Sequence, residues 1–187
     1  GRNDHGVFAA ILNREGSLGP STDKRSRGEL VLEALDHPDA AAAADALADL
    51  DANAYRSFNL VVGDNTDVFH LANRARTNSI TVKEVMPGLS MLTSQEINDR
   101  RNARIGLYLP QFELADVPDP ESDDWTAWRR ILSDNTSVIP QLVPRPQCVS
   151  SVIAVSGRFP ARFWRSRQRV PTILPVFTCS PRDARTR

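Results

Sequence analysis

The residues of this chain with the most chemistry to offer are few. They are three histidines (His5, His37, His70), two cysteines (Cys148, Cys179) and two asparagines set at or inside apolar runs, Asn13 and Asn59. Each histidine stands more than 30 residues from the next. The four-ligand spacing of a structural zinc centre is therefore missing, and no metal is expected. No cofactor is expected either, because GxGxxG, GxxxxGK[ST] and HExxH are all absent. His37 precedes Pro38 at a helix end, where an imidazolium favours the helix dipole. His70 alternates with Phe69 and Leu71, which predicts a histidine on the polar face of a strand. His5 precedes Gly6 and reads as a turn residue.

Asn13 closes the apolar run VFAAIL and is followed by Arg14, Glu15 and Gly16. An amide at a strand end can donate to a developing oxyanion. It can equally close its own turn. Asn59 lies inside FNLVV, where a polar side chain must find partners. It either holds a neighbouring loop or points into a pocket. The run KRSRGE could clamp an anion, but Asp23 and Glu29 offset it, and a solvated face is the simpler account. Cys148 stands close to Ser150 and Ser151, with no base beside any of them in sequence. A small core residue is the plainer role for such a cysteine.

The elements that must position these residues follow from periodicity. Val7–Leu12 reads as a strand. Ser26 to Glu29 has the spacing of a capping box, opening a helix with Leu30, Val31, Ala34 and Leu35 on one stripe. Pro38 and Asp39 start a second, alanine-rich helix whose large anchors are Leu47 and Leu50. FNLVVGD and VFHLAN flank a Gly/Asn/Asp turn and predict a hairpin. SITVKEVMPGLSMLT gives two more strands, broken at Pro87–Gly88. TSQE at Thr93–Glu96 repeats the capping spacing before a helix carrying Ile97, Ile105 and Leu107. DWTAWRRIL is a short amphipathic helix, and CVSSVIAVSG a last strand. Paired helices and clustered strands suit a layered α+β domain with antiparallel sheet.

Composition sets outer bounds. The chain has 187 residues, 41% of them hydrophobic, with formal net charge zero, which argues against a nucleic-acid partner. The zero conceals a split. Residues 158–187 hold eight Arg and one Asp, and the remainder carries a net charge of −7. The expected organisation is a domain over 1–157 and a basic, proline-containing tail over 158–187. Two cysteines make no disulfide framework, so a reducing, cytoplasmic setting is expected. No apolar run is long enough for a transmembrane segment.

Several stretches carry a family likeness. HGVFAAILNREGSLGPSTDKRSRGELVLEALDHPDA, YRSFNLVVGD, VMPGLSMLT and DDWTAWRRILSD resemble the bacterial branch of the NRDE family, related to transport and Golgi organization protein 2. The likeness runs from about His5 to Val155. It implies a four-layer αββα sandwich of two antiparallel sheets, like that of N-terminal nucleophile hydrolases. Members open on a cysteine nucleophile followed by the Asn-Arg-Asp-Glu motif. Gly1 is no nucleophile, so the resemblance implies a domain truncated at its N-terminus and lacking hydrolase activity. It also implies an oxyanion-side or pocket role for Asn13 and Asn59. Two further functions follow from it: a parent amidase or acylase acting on C–N amide bonds, or a lipid- or heme-related binding and trafficking protein. The expected ligand is a small acyl, amide or lipid-like molecule.

Overall fold

The computed structural model describes residues 1–17, 19, 21–75, 77–118 and 122–133, and the backbone of 152–156 and 173–174. Cys148, Cys179, Ser150, Ser151 and most of the basic tail lie outside the described residues.

The first apolar run forms strand β1 (Phe8–Asn13), and helices α1 (Gly28–Leu35) and α2 (Ala40–Ala48) follow it. The predicted hairpin is present as β2 (Phe58–Gly63) and β3 (Val68–Asn73), and β4 (Ile80–Glu84) adds to it. These strands make one antiparallel sheet in the order β1-β2-β3-β4. Strand β5 (Gly88–Leu92) leaves that sheet. It pairs instead with β6 (Val152–Ser156), which pairs with the two-residue β7 (Ile173–Leu174). Gly88, at φ +130°, takes the backbone turn between the two sheets that a side chain would resist. Helices α3 (Ala103–Leu114) and α4 (Thr126–Ser133) pack beside β5.

Register divides the first sheet into two unlike faces. Ala9, Ile11, Phe58, Leu60, Val62, Leu71, Ile80 and Val82 share one face. It packs against Leu30, Ala34, Ala43, Ala44 and Leu47 from α1 and α2. Alanine at three buried positions of α2 (Ala40, Ala43, Ala44) lets that helix lie close to the sheet. Asp39 caps it by accepting from Ala42 N, and Asp64 of the β2–β3 turn accepts from Ala40 N at 2.8 Å. The other face carries Leu12, Val61 and Val68, joined by Val85 and Leu92. It also carries Asn59, His70, Thr81 and Lys83.

That second face corrects the expected four-layer αββα sandwich. Two sheets packed face to face need apolar inner faces about 10 Å apart. Here the inner positions of β3 and β4 are substantially polar. Across from them, β5 supplies Leu92 to the shared apolar cluster, in a sheet whose described strands are β5, β6 and β7. The architecture is a mixed α+β fold built on an open four-stranded sheet, not the closed sandwich of an N-terminal nucleophile hydrolase.

Two helix starts also differ from expectation. Ser26 Oγ accepts from Gly28 N, while Glu29 reaches Arg25, so no reciprocal capping box forms. After β5 the chain makes turns through Asn98, with φ +57°, and α3 begins only at Ala103 behind an Asn102 cap. Glu96, predicted to cap a helix, is free to reach elsewhere.

Candidate functional site

The polar face of the sheet gathers a connected group of side chains at one end. Strands β1 and β3 both run antiparallel to β2, so both finish at the same edge. Arg14 and Arg74 are the residues immediately after them. By strand parity both fall on the face that carries Asn59. Their guanidinium groups converge on one carboxylate. Arg14 Nη2 donates to Glu96 Oε1 at 2.6 Å, while Arg74 donates through Nε to Oε1 at 2.9 Å and through Nη2 to Oε2 at 2.6 Å. The fork on both oxygens is the strong form of such a pair. Arg74 Nη1 also donates to Thr81 Oγ1.

Asn59 is the hub. It is fully buried, and its Nδ2 donates to the carbonyls of Thr93 at 2.9 Å and Gln95 at 2.7 Å. Those two acceptors orient the amide, leaving Oδ1 to accept from Arg14 Nη1 at 2.6 Å. His70 lies diagonally across on β3, with Nε2 at 3.1 Å from the same Oδ1. An amide oxygen has no proton to give, so His70 must hold its proton on Nε2. Burial pushes the His70 imidazole down to about 4 from an ordinary 6.5. Glu96 draws it upward, and Arg74, Arg14 and Lys83 press it down further. Glu96 is held at about 2, against an ordinary 4.5, chiefly by its hydrogen bonds from Arg74 and Arg14.

The two asparagines read as site residues are not brought together. Asn13 pairs with Phe58, and Asn59 pairs with Leu12, so they point to opposite faces of the sheet. Asn13 is exposed at the strand end. His70, expected on a strand surface, is 2% exposed, because the face it shares with Asn59 is covered by the segment after β5. His5 is exposed and His37 half-buried, both remote in sequence from this group. In the KRSRGE run, Arg25 pairs with Glu29 and lies over the Tyr55 ring, and Arg27 donates to the carbonyls of Ser17, Gly19 and Ser57. Arg14, Arg74 and Glu96 were missed by sequence reading. The predicted hairpin held the signal for two of them: strands of equal direction must end side by side, and each is followed by an arginine.

Among the described residues, no group of three or more His, Cys, Asp or Glu side chains gathers where it could hold a metal ion. No helix among them is long and apolar enough to cross a membrane.

Fold and site together define an α+β protein whose open sheet buries a charge-paired polar cluster on one face. A family model described as Transport and Golgi organisation 2 matches residues 1–138, and the chain belongs to that family. Nothing among the curated proteins or the solved structures matches it. The membership corrects the NRDE assignment, which no comparison supports. The cysteine-hydrolase parent goes with it, because the closed double sheet it called for is replaced by an open one.

Proposed function

We propose that this chain is a binding and trafficking protein in transport and Golgi organisation, taking a small acyl, amide or lipid-like ligand. The observation that carries the reading is family membership over 138 of 187 residues. The polar cluster supports it. Each group that a catalytic reading would recruit already has a partner: Arg14 and Arg74 on Glu96, Asn59 on two carbonyls, His70 on Asn59. An imidazole held near 4 and hydrogen-bonded through Nε2 is a structural group rather than a base poised for neutral pH. In this reading Asn59 is a scaffold that holds residues 93–95 on its face of the sheet, and Asn13, exposed on the opposite face, lies apart from it. The domain spans 1–157, and the basic segment 158–187 adds β7 to its second sheet. The two cysteines make no disulfide framework, which favours a reducing compartment such as the cytoplasm.

The test is direct. Purified protein is titrated into a fluorescent fatty-acyl probe and its amide, and transfer of the probe between vesicles is followed. Saturable binding with accelerated transfer is expected, with the probe recovered chemically unchanged. A titration no different from that of an unrelated protein of similar size would overturn the reading.

A further inference from the structure

The Arg14–Glu96–Arg74 arrangement is asymmetric in charge and in exposure. Two guanidinium groups face one carboxylate, and Lys83 adds a third cation to the same sheet face. The arginine side chains are 15% and 26% exposed, but the Glu96 side chain is 40% exposed. Glu96 is therefore the most exposed of the three side chains. It arrives on a run of turns between β5 and α3, not on a strand or a helix. The cations, by contrast, directly follow paired strands of the sheet, and Arg14 is further held by Asn59 Oδ1 and the Gln95 carbonyl. Thr93, whose carbonyl accepts from Asn59, has an Oγ1 that is fully buried and lacks a partner among the described residues. The cations are thus held by the sheet, and Glu96 reaches them as a side chain from a turn segment whose own backbone is pinned through the Thr93 and Gln95 carbonyls.

We propose that Arg14 and Arg74 form a cradle for the carboxylate of a small acyl ligand, and that Glu96 occupies this cradle in the free protein as a built-in competitor. The inference rests on the binding reading above and names the ligand's head group. The fork of Arg74 matches any carboxylate in plane, and Arg14 adds a third donor. A ligand must displace Glu96, so the free protein binds below the cradle's intrinsic affinity. Removing the competitor releases it.

The probe is butyrate, titrated by calorimetry into the full chain, with neutral butyramide as control. Glu96→Gln is expected to bind butyrate at least about tenfold tighter than wild type, since a tethered competitor acts at high effective concentration. Adding Arg74→Gln to that variant is expected to abolish the gain, and butyramide is expected to show none. A Glu96→Gln protein no tighter than wild type, or equal binding of butyramide, would overturn the cradle. Where Glu96→Gln does not fold, Glu96→Asp decides: it keeps the charge and withdraws it by one methylene. Tighter butyrate binding by this variant supports the cradle, and unchanged binding overturns it. Acyl-probe binding by Glu96→Gln without carboxylate preference would remove the cradle and leave the binding function standing. Loss of both would remove both.

Discussion

At the scale of single residues, Asn59 and His70 concentrate the consequences. Asn59, itself fully buried, satisfies two carbonyls, one guanidinium and one imidazole. Asn59→Ala leaves several of them without partners, and the expected loss is about 3 kcal/mol of unfolding free energy, read from urea titration. A loss below about 0.5 kcal/mol, the range of ordinary surface substitutions, would show that the hub is not structural. His70 makes a prediction in pH. Its folded value lies below its unfolded one, so the unfolded chain binds more protons between about 4 and 6.5. Stability from this group is fully present above 6.5 and is lost as pH falls towards 4. Between pH 7 and pH 5 the loss is about 2 kcal/mol. Glu96 acts in the same direction lower down, from 4.5 towards 2. His70→Gln keeps a hydrogen-bond donor without the titration and is expected to flatten the upper part of the profile. An unchanged slope from pH 7 to pH 5 in that variant would remove His70 as the cause.

At the scale of elements, sequence periodicity was a good guide where one face was apolar and a poor one where charges found distant partners. β1, the β2–β3 hairpin, α2 and α4 all formed where alternation, a turn motif or a helical stripe predicted them. Trp128 is buried against Phe112, with ring centroids 5.1 Å apart, as the short amphipathic helix required. The two capping spacings failed for one physical reason. A glutamate three residues after Ser or Thr can cap, but Glu29 finds Arg25 and Glu96 finds two arginines, and a charged partner outcompetes a backbone amide. Strand pairing of β5 was not legible either, because β6 lies 60 residues further on. Two local substitutions test the elements. Asp39→Ala removes the α2 cap and is expected to lower stability by about 1 kcal/mol. Gly63→Ala on β2 places a methyl group against the Phe8 ring and 2.9 Å from a Val68 methyl. The half-exposed ring can swing aside, so the cost is about 1 kcal/mol, and Phe8→Leu in the same chain is expected to recover most of it. A Gly63→Ala protein as stable as wild type would mean that this end of the hairpin has more room than its geometry shows.

At the scale of the whole molecule, two apolar clusters are joined through a face that is partly polar. One lies under α1 and α2, and the other joins β5 to α3 and α4. Between them stand a small group (Leu12, Val61, Val68, Val85 and Leu92) and the hydrogen bonds of Asn59, Arg14 and Arg74 to residues 93–96. Apolar burial is non-directional and tolerates small shifts, whereas these hydrogen bonds specify one register of the β5–α3 segment against the sheet. The sheet and its helices are bound to each other without using that junction. Loosening it should therefore act unevenly. Native-state hydrogen exchange on Glu96→Gln is expected to show faster exchange across Gly88–Leu114, with β2 and β3 retaining their protection. The same pattern should appear in wild type near pH 5, where His70 begins to charge beside three cations. A uniform loss of protection over both regions would mean that the molecule unfolds as one cooperative unit. The polar junction would then add to total stability without dividing the fold, and Glu96 could not leave its arginines while the sheet stays intact.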